Sequence, residues 1–450
     1  MEYPGSKFTR PWRITLLAIF CLAFFIISPI LILYTSGYRY DFQNGIFQKI
    51  GNISIDILPK TTIAYLNDLK LKSKMPIRLK SIAPGKYKIK LTAENYFDWE
   101  KEITVENKQT VYIKEIQLIK KSNPEKLLAG NIGRIFISSD NTNLLYEKID
   151  NEKKEFWFYN ITDKQNKKVL SETTKKEYEI KWSDTGNYAL INAADLSEIY
   201  IFDTTKPEAL WNFSKEIKNK LTKIIWNNSN PAEFYFSTKN EIFVANAATK
   251  IKTIVGKNNF LDWQVENGQI WTLQKTETTN QLFVARDTFG FLENYTNLNI
   301  SQTATEKKSD WKFIYANNNN LLFKKQTAAE MFIVNKEKQF TFYGENFLQS
   351  KYNDWWIMWI PWEITTYNFG DDPFLLNRSG EQLRKVITLD QYNTLGLIWA
   401  DKMTVLFPYY FVSHNLIQQT INDAVADSKQ RILYFSGTIG DWTGLWQMQY

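Results

Sequence analysis

One phrase recurs along this chain and restricts what it can fold into. Its clearest copy is Trp182-Ser183-Asp184-Thr185-Gly186-Asn187-Tyr188-Ala189-Leu190-Ile191. It reads as the end of one strand, a polar turn and a second strand, and Ile199-Tyr200-Ile201-Phe202-Asp203 follows as a third. Weaker copies flank it on both sides. Trp182, Trp226, Trp263, Trp311, Trp355 and Trp399 recur at intervals of 44, 37, 48, 44 and 44 residues. Such an interval has room for four strands of about five residues, the content of one propeller blade. A repeat of this period cannot bury its apolar faces alone and must stack on its neighbours. The spacing therefore predicts a β-propeller over residues 121–450 with about seven blades, six to eight being open. The last run, Leu445-Trp446-Gln447-Met448, reads as a third strand, so its blade lacks an outer one. Lys126-Leu127-Leu128-Ala129, ahead of the first repeat, is expected to supply that strand and close the ring.

Within such a blade the recurrent Trp is expected in the core, packing neighbouring sheets together. Asp140, Asp184, Asp262, Asp310 and Asp354 sit at related positions. They are expected to stabilise turns by bonding to backbone.

Composition supports the β reading and narrows the chemistry. Aromatic residues reach 16%, an excess that suits pleated, half-buried surfaces. The net charge of +7 is spread along 450 residues without basic blocks, so no nucleic-acid partner is expected. A single Cys, Cys21, allows no intrachain disulfide. A single His, His414, allows no site built on two or three imidazoles. The sequence contains no Gly-x-Ser-x-Gly, Walker A loop or Gly-x-Gly-x-x-Gly, and no Asp-x-Asp-x-Asp calcium spacing. The expectation is a protein without catalytic residues, cofactor or metal, with His414 a structural or surface residue beside a strand.

Residues 14–34 form an uncharged apolar run long enough to cross a ~30 Å hydrocarbon core as a helix. Lys7, Arg10 and Arg13 precede it against Glu2 alone, which places residues 1–13 in the cytoplasm and the rest outside. The bilayer is thus one expected partner, through residues 14–34. A cleaved signal peptide would have a shorter apolar region and a small-x-small site, and Leu33-Tyr34-Thr35-Ser36-Gly37 is a weak one. Pro29 is tolerable in a membrane helix. Residues 35–51 read as a tether to the next domain.

From 52 to 120 the pattern alternates with period two between turn signals. Ile53–Ile57, Ile63–Leu66, Ile77–Leu79 and Lys86–Leu91 read as strands, with the last strand or pair inside Thr104–Leu118. A small antiparallel β-sandwich is expected, with Tyr96 and Trp99 in core or edge packing. The order Pro59, Ala64-Tyr65-Leu66-Asn67-Asp68, Met75-Pro76, Leu79, Pro84-Gly85-Lys86-Tyr87 and Asn95-Tyr96 resembles a PEGA domain. Lys60-Thr61-Thr62 stands where that family has Glu-Gly-Ala, Asn67-Asp68 replaces Asp-Gly, and Asn95 replaces Gly. The resemblance implies an extracytoplasmic, surface-associated β module without catalysis. The Trp182 phrase in turn resembles the strand–turn of WD-repeat and Tol-type propellers, Trp/Phe-Ser-Pro-Asp-Gly, although no copy has a Gly-His and Trp-Asp pair. That likeness implies the architecture and no particular propeller family.

The repeat breaks most visibly at Trp355-Trp356-Ile357-Met358-Trp359-Ile360-Pro361-Trp362. Four Trp in eight residues exceed what one blade strand can bury, and Pro361 forbids a regular central strand there. Trp355, Trp356, Trp359 and Trp362 are therefore the candidate binding platform, for a protein or a cell-envelope polysaccharide. The bland reading is an irregular strand and loop buried in the propeller. Three functions remain: an anchored surface protein presenting a propeller for binding, a purely structural envelope component, and a hydrolase on a propeller scaffold. The last is disfavoured, because no Ser-x-Asp-x-Gly-x-x-Trp phrase is present.

Overall fold

A computed structural model describes residues 10–41, 46–150, 153–172, 176–239, 241–257, 260–276, 281–288, 291–301, 310–317, 320–335, 338–350, 355–368 and 372–450. Glu2, Lys7 and Asp354 lie outside the described residues. The chain divides into two compact units between Lys121 and Ser122, and each is taken by itself.

The first unit begins with a helix over Arg10–Thr35. Its stretch from Pro11 to Thr35 has a mean hydropathy of 3.0 and is long and apolar enough to cross a membrane. Thr15 returns its hydroxyl to the Pro11 carbonyl, which lets a polar side chain sit in an apolar helix. The segment 35–51, expected as a tether, contains two paired strands. Strands Tyr38–Asp41 and Ile46–Lys49 pair as an antiparallel hairpin, and the Ile50 N–H donates to the Gly37 carbonyl at 3.2 Å. Gly37 has φ +83°, and a Cβ there would lie 2.5 Å from Lys108 Cγ. Glycine is thus required where the chain leaves the helix and meets the β-domain.

The β-domain packs two sheets. Strand Gly51–Leu58 lies between Ile77–Ile82 and Thr110–Gln117. Ile63–Leu66, Leu69–Lys70, Gly85–Thr92 and Trp99–Val105 form the second sheet. Ile53, Ile55, Ile57, Ile77, Ile89, Leu91, Trp99 and Ile113 fill the space between them. Asn67 and Asp68 both take positive φ, 47° and 65°, which makes the tight hairpin their sequence announced. The wholly antiparallel sandwich is corrected at one pairing: Gly51–Leu58 runs parallel to Thr110–Gln117. The four-stranded sheet intervenes in the chain between them, so the last strand can cross back and join the first in the same direction.

The second unit is a ring of eight four-stranded antiparallel sheets among the described residues, so the propeller has eight blades. Seven blades follow in chain order, with first strands starting at 132, 178, 223, 262, 311, 346 and 385. The eighth takes Ile421–Asp427, Ile432–Ile439 and Trp442–Gln449 from the C-terminal end and Glu125–Ala129 as its outer strand. The ring therefore closes as expected. Glu125 pairs with Gln447, Lys126 with Trp446, Leu128 with Leu445 and Ala129 with Gly444.

The core lies between blades. In blade 2, Ala189 and Ile191 pack toward blade 1 while Leu190 packs toward blade 3. In blade 3, Phe234 and Phe236 face blade 2 while Tyr235 faces blade 4. Alternate side chains of one strand thus serve two different neighbours, so second strands are apolar on both faces. The same logic buries Trp356 and Met358 toward blade 5, and Ile357 and Trp359 toward blade 7.

Polar bonds tie some seams near the axis. Asp262 begins the first strand of blade 4. Its Oδ1 accepts from Lys223 Nζ of blade 3 at 3.2 Å, and its Oδ2 accepts from the Phe313 N–H of blade 5 at 2.8 Å. Lys223 also donates to the carbonyls of Trp263 and Phe313. The same device recurs four blades on, across the ring. Asp423 of blade 8 accepts from Lys385 Nζ of blade 7 at 2.6 Å and from the Ile135 N–H of blade 1 at 3.0 Å. One clamp thus spans the closing seam and the other the seam opposite.

Candidate functional site

The recurrent Trp residues share a period but not a position. Trp182 and Trp226 end the first strands of blades 2 and 3, and Trp263 and Trp311 stand at or near the start of those of blades 4 and 5. Trp355 opens the second strand of blade 6, and Trp399 follows that of blade 7. Trp226, Trp263, Trp311 and Trp399 are buried. The indole N–H of Trp182 donates to the Phe136 carbonyl at 3.3 Å, and that of Trp226 to the Lys181 carbonyl at 2.7 Å. Both bonds reach the preceding blade, so these rings join blades rather than face a ligand. The Asp set divides as well. Asp140 accepts from the Thr142 N–H and stabilises its turn, whereas buried Asp262 is the clamp just described, in a strand rather than a turn. Asp184 is exposed, and Asp310 accepts from the Thr327 hydroxyl.

The four Trp of the platform do not share one surface. Strand Trp355–Ile360 is the second strand of blade 6 and is buried on both faces like its counterparts. Trp356 is 0% exposed and Trp359 7%. Pro361 and Trp362 form the turn that follows, and Trp362 is 56% exposed. Trp355 is half-buried at the other end of the strand, roughly 20 Å away at 3.3 Å per residue. The expectation set four Trp against what one blade strand can bury, and this strand is buried on both of its faces. Trp362→Ala is accordingly expected to change stability by less than about 0.5 kcal/mol, read as an unchanged thermal midpoint.

Aromatic exposure concentrates instead around Trp355, where blade 6 meets blade 7. The Trp355 ring lies 4.8 Å from Tyr409, which is 45% exposed in the turn between the last two strands of blade 7. Phe411 of the same turn is 51% exposed and lies 5.9 Å, edge-on, from Phe374. Phe374 is 54% exposed at the start of the outer strand of blade 6, followed by Leu375 at 43%. Phe411 adopts φ +54°, uncommon for a bulky residue and a form of backbone strain associated with functional turns. On the other side, Pro373 lines a hollow of about 630 Å³ with Lys338, Gln339 and Phe342 of blade 5. Lys338 and Asp372 form an exposed ion pair across it at 3.5 Å. His414 lies three residues beyond Phe411, in the outer strand of blade 7, edge-on to Phe407 at 5.9 Å.

Sequence reading missed this ledge because its members come from two blades. The available signal was a proline before an apolar run, Pro373-Phe374-Leu375 and Pro408-Tyr409-Tyr410-Phe411. Proline stops the ladder there and leaves the following side chains on the rim.

Comparison with known proteins finds a family match for part of the first unit. Residues 50–119 match the PEGA domain family, so the first unit carries a PEGA domain. Among solved structures, the β-propeller domain of Cps50 (Swd1) from Myceliophteria thermophila is similar at 8% identity, covering 73% of this chain and 100% of that one with a TM-score of 0.45. The Dos1 propeller is similar at 8% identity, covering 73% and 95% with a TM-score of 0.46. The dihydro-heme d1 dehydrogenase NirN matches at 9% identity over 64% and 66%, with a TM-score of 0.43. A search of curated proteins finds no match. In chain order stand an apolar N-terminal helix, a segment that matches the PEGA domain family and, in the second unit, an eight-bladed β-propeller.

Proposed function

We propose that this protein is anchored in the cell membrane by residues 14–34 and presents its propeller outside the cytoplasm to bind a protein partner. Arg10 and Arg13 at the N-terminal end of the helix support that orientation, and the PEGA domain fits a surface role. The carrying observation is the ledge of Trp355, Tyr409, Phe374, Phe411 and Leu375. Clustered exposed aromatics flanked by a hollow are the usual anchor of a protein interface. Binding rather than turnover is the role, because the ledge offers apolar contact and no paired acid and base.

Capture from the cell envelope by the soluble unit 122–450 tests this reading. Phe374→Ser together with Phe411→Ser is expected to weaken capture at least tenfold, about 1.4 kcal/mol or more. The thermal midpoint should hold, because both side chains are exposed. Equal capture by the variant would remove the ledge from binding, and capture of purified polysaccharide alone would replace the protein partner.

A further inference from the structure

The PEGA domain carries a second surface, independent of the ledge. The outward face of its three-stranded sheet is concave, with a hollow of about 380 Å³. Strand register sets two rows across it. Ser54 is paired with Arg78 on one side and with Tyr112 on the other. In the next row Asn52 is paired with Thr110, and Lys80 follows on the strand of Arg78. Asn52 bridges the strands, donating to the Thr110 hydroxyl and accepting from the Ser81 N–H, both at 3.4 Å. Tyr112 is 62% exposed, and Arg78 and Lys80 are exposed beside it.

The charges on this face are less balanced than those along the paired strands Gly85–Thr92 and Trp99–Val105. On the other sheet, Lys86 pairs with Glu102, Lys88 with Glu100, and Lys90 with Asp98 and Glu100. Farther along the same face, Asp56 is taken by Lys60 and Lys114 by Glu115. Arg78 and Lys80 have no carboxylate partner among the described residues, and the lining of the hollow contains none. Two unneutralised cations, a flat exposed ring and a line of amide and hydroxyl groups sit within one hollow. The cations ask for an anion. The ring suits the apolar face of a sugar, and the Asn52, Ser54 and Thr110 row suits its hydroxyls.

We propose that this face binds an anionic glycan, a polysaccharide bearing carboxylate or phosphate groups. The strand spacing sets its scale. Arg78 and Tyr112 stand on strands two spacings apart, about 10 Å at ~4.8 Å each. A sugar stacked on Tyr112 therefore meets Arg78 through the anionic group of a neighbouring unit, so the site takes an oligosaccharide rather than a single sugar.

The full chain in nanodiscs of zwitterionic lipid provides the test, with polygalacturonate oligomers as the anionic probe and dextran as the neutral one. Saturable binding of polygalacturonate that weakens with salt is expected, with no binding of dextran. Arg78→Gln with Lys80→Gln should weaken it at least tenfold. Tyr112→Ala should weaken it severalfold, and Tyr112→Phe should retain it. Phe374→Ser with Phe411→Ser should leave it unchanged, which separates this site from the propeller ledge. Equal binding by the Arg78/Lys80 double variant, or no binding of polygalacturonate by the wild type, would overturn the proposal. Affinity only for nanodiscs carrying anionic lipid would overturn it in favour of a headgroup surface.

Discussion

Replacing Gly444 by valine is expected to open the propeller ring. Gly444 lies in the third strand of blade 8, opposite Ala129 of the closing strand. A Cβ on Gly444 would stand 2.1 Å from the Leu128 carbonyl oxygen, far inside van der Waals contact. The obstacle is backbone, so no rotamer change relieves it. The closing strand must move away, losing its ladder to Trp442–Gln449 and the Gln447 bond to Glu125 at 2.9 Å. Leu127 and Leu128 would leave the cluster of Ile132, Ile135, Tyr146, Tyr434 and Leu445. Overpacking alone costs about 1–3 kcal/mol, and the lost burial of two half-buried leucines adds roughly 2 more. The thermal midpoint of the propeller should fall by about 5 °C or more. The freed edge of blade 8 should also drive concentration-dependent self-association. Gly380→Ala, where a Cβ meets nothing within 4 Å, serves as the neutral control. An unchanged midpoint for Gly444→Val would mean that the closing strand does not hold the ring.

The second large effect is expected at the inter-blade clamps. Asp262→Ala should cost about 3 kcal/mol, because it leaves the Lys223 ammonium among blades 3, 4 and 5 without its carboxylate. Asp423→Ala should cost less, about 2 kcal/mol, because the Lys385 side chain is 36% exposed against 19% for Lys223 and water replaces part of the lost partner. Burial holds the Lys223 ammonium below its usual pKa, and Asp262 only partly opposes this. Losing Asp262 lowers it further. The folded state then binds fewer protons than the unfolded chain between that lowered pKa and 10.5, so stability rises with pH in that window. The penalty of Asp262→Ala should therefore shrink between pH 7 and pH 10, as denaturant midpoints across that range can show. Adding Lys223→Met should recover part of the loss, and a simple sum of the two single effects would exclude coupling.

Much of this architecture is legible in local sequence. The Trp182 phrase places three strands, observed as Tyr178–Trp182, Tyr188–Ala193 and Ile199–Asp203. Leu127 and Leu128, stranded before the first repeat, mark the closing strand because an unpaired apolar pair there needs a partner. Two things were not legible. The even Trp spacing hid a drift of the ring from the first strand to the second, because blades differ in length while the interval stays near its mean. The Trp355–Trp362 run looked excessive because local pattern cannot say whether a strand is covered on one face or on both.

The sequence by itself determined the classes of element and their order: a spanning-length apolar helix, a small β-domain, then repeated four-strand units. These follow from periodicity, turn residues and uninterrupted apolar length, all short-range properties. Only the tertiary structure decided the count of eight blades, the parallel strand in the PEGA domain and the Lys–Asp clamps on opposite sides of the ring. It also decided which aromatics are exposed. Trp356 and Trp359 are buried because neighbouring blades cover both faces of their strand, while Phe374 and Phe411 meet at the rim from two blades. Burial depends on what lies across a seam, and residues that face each other across a seam stand far apart in the chain.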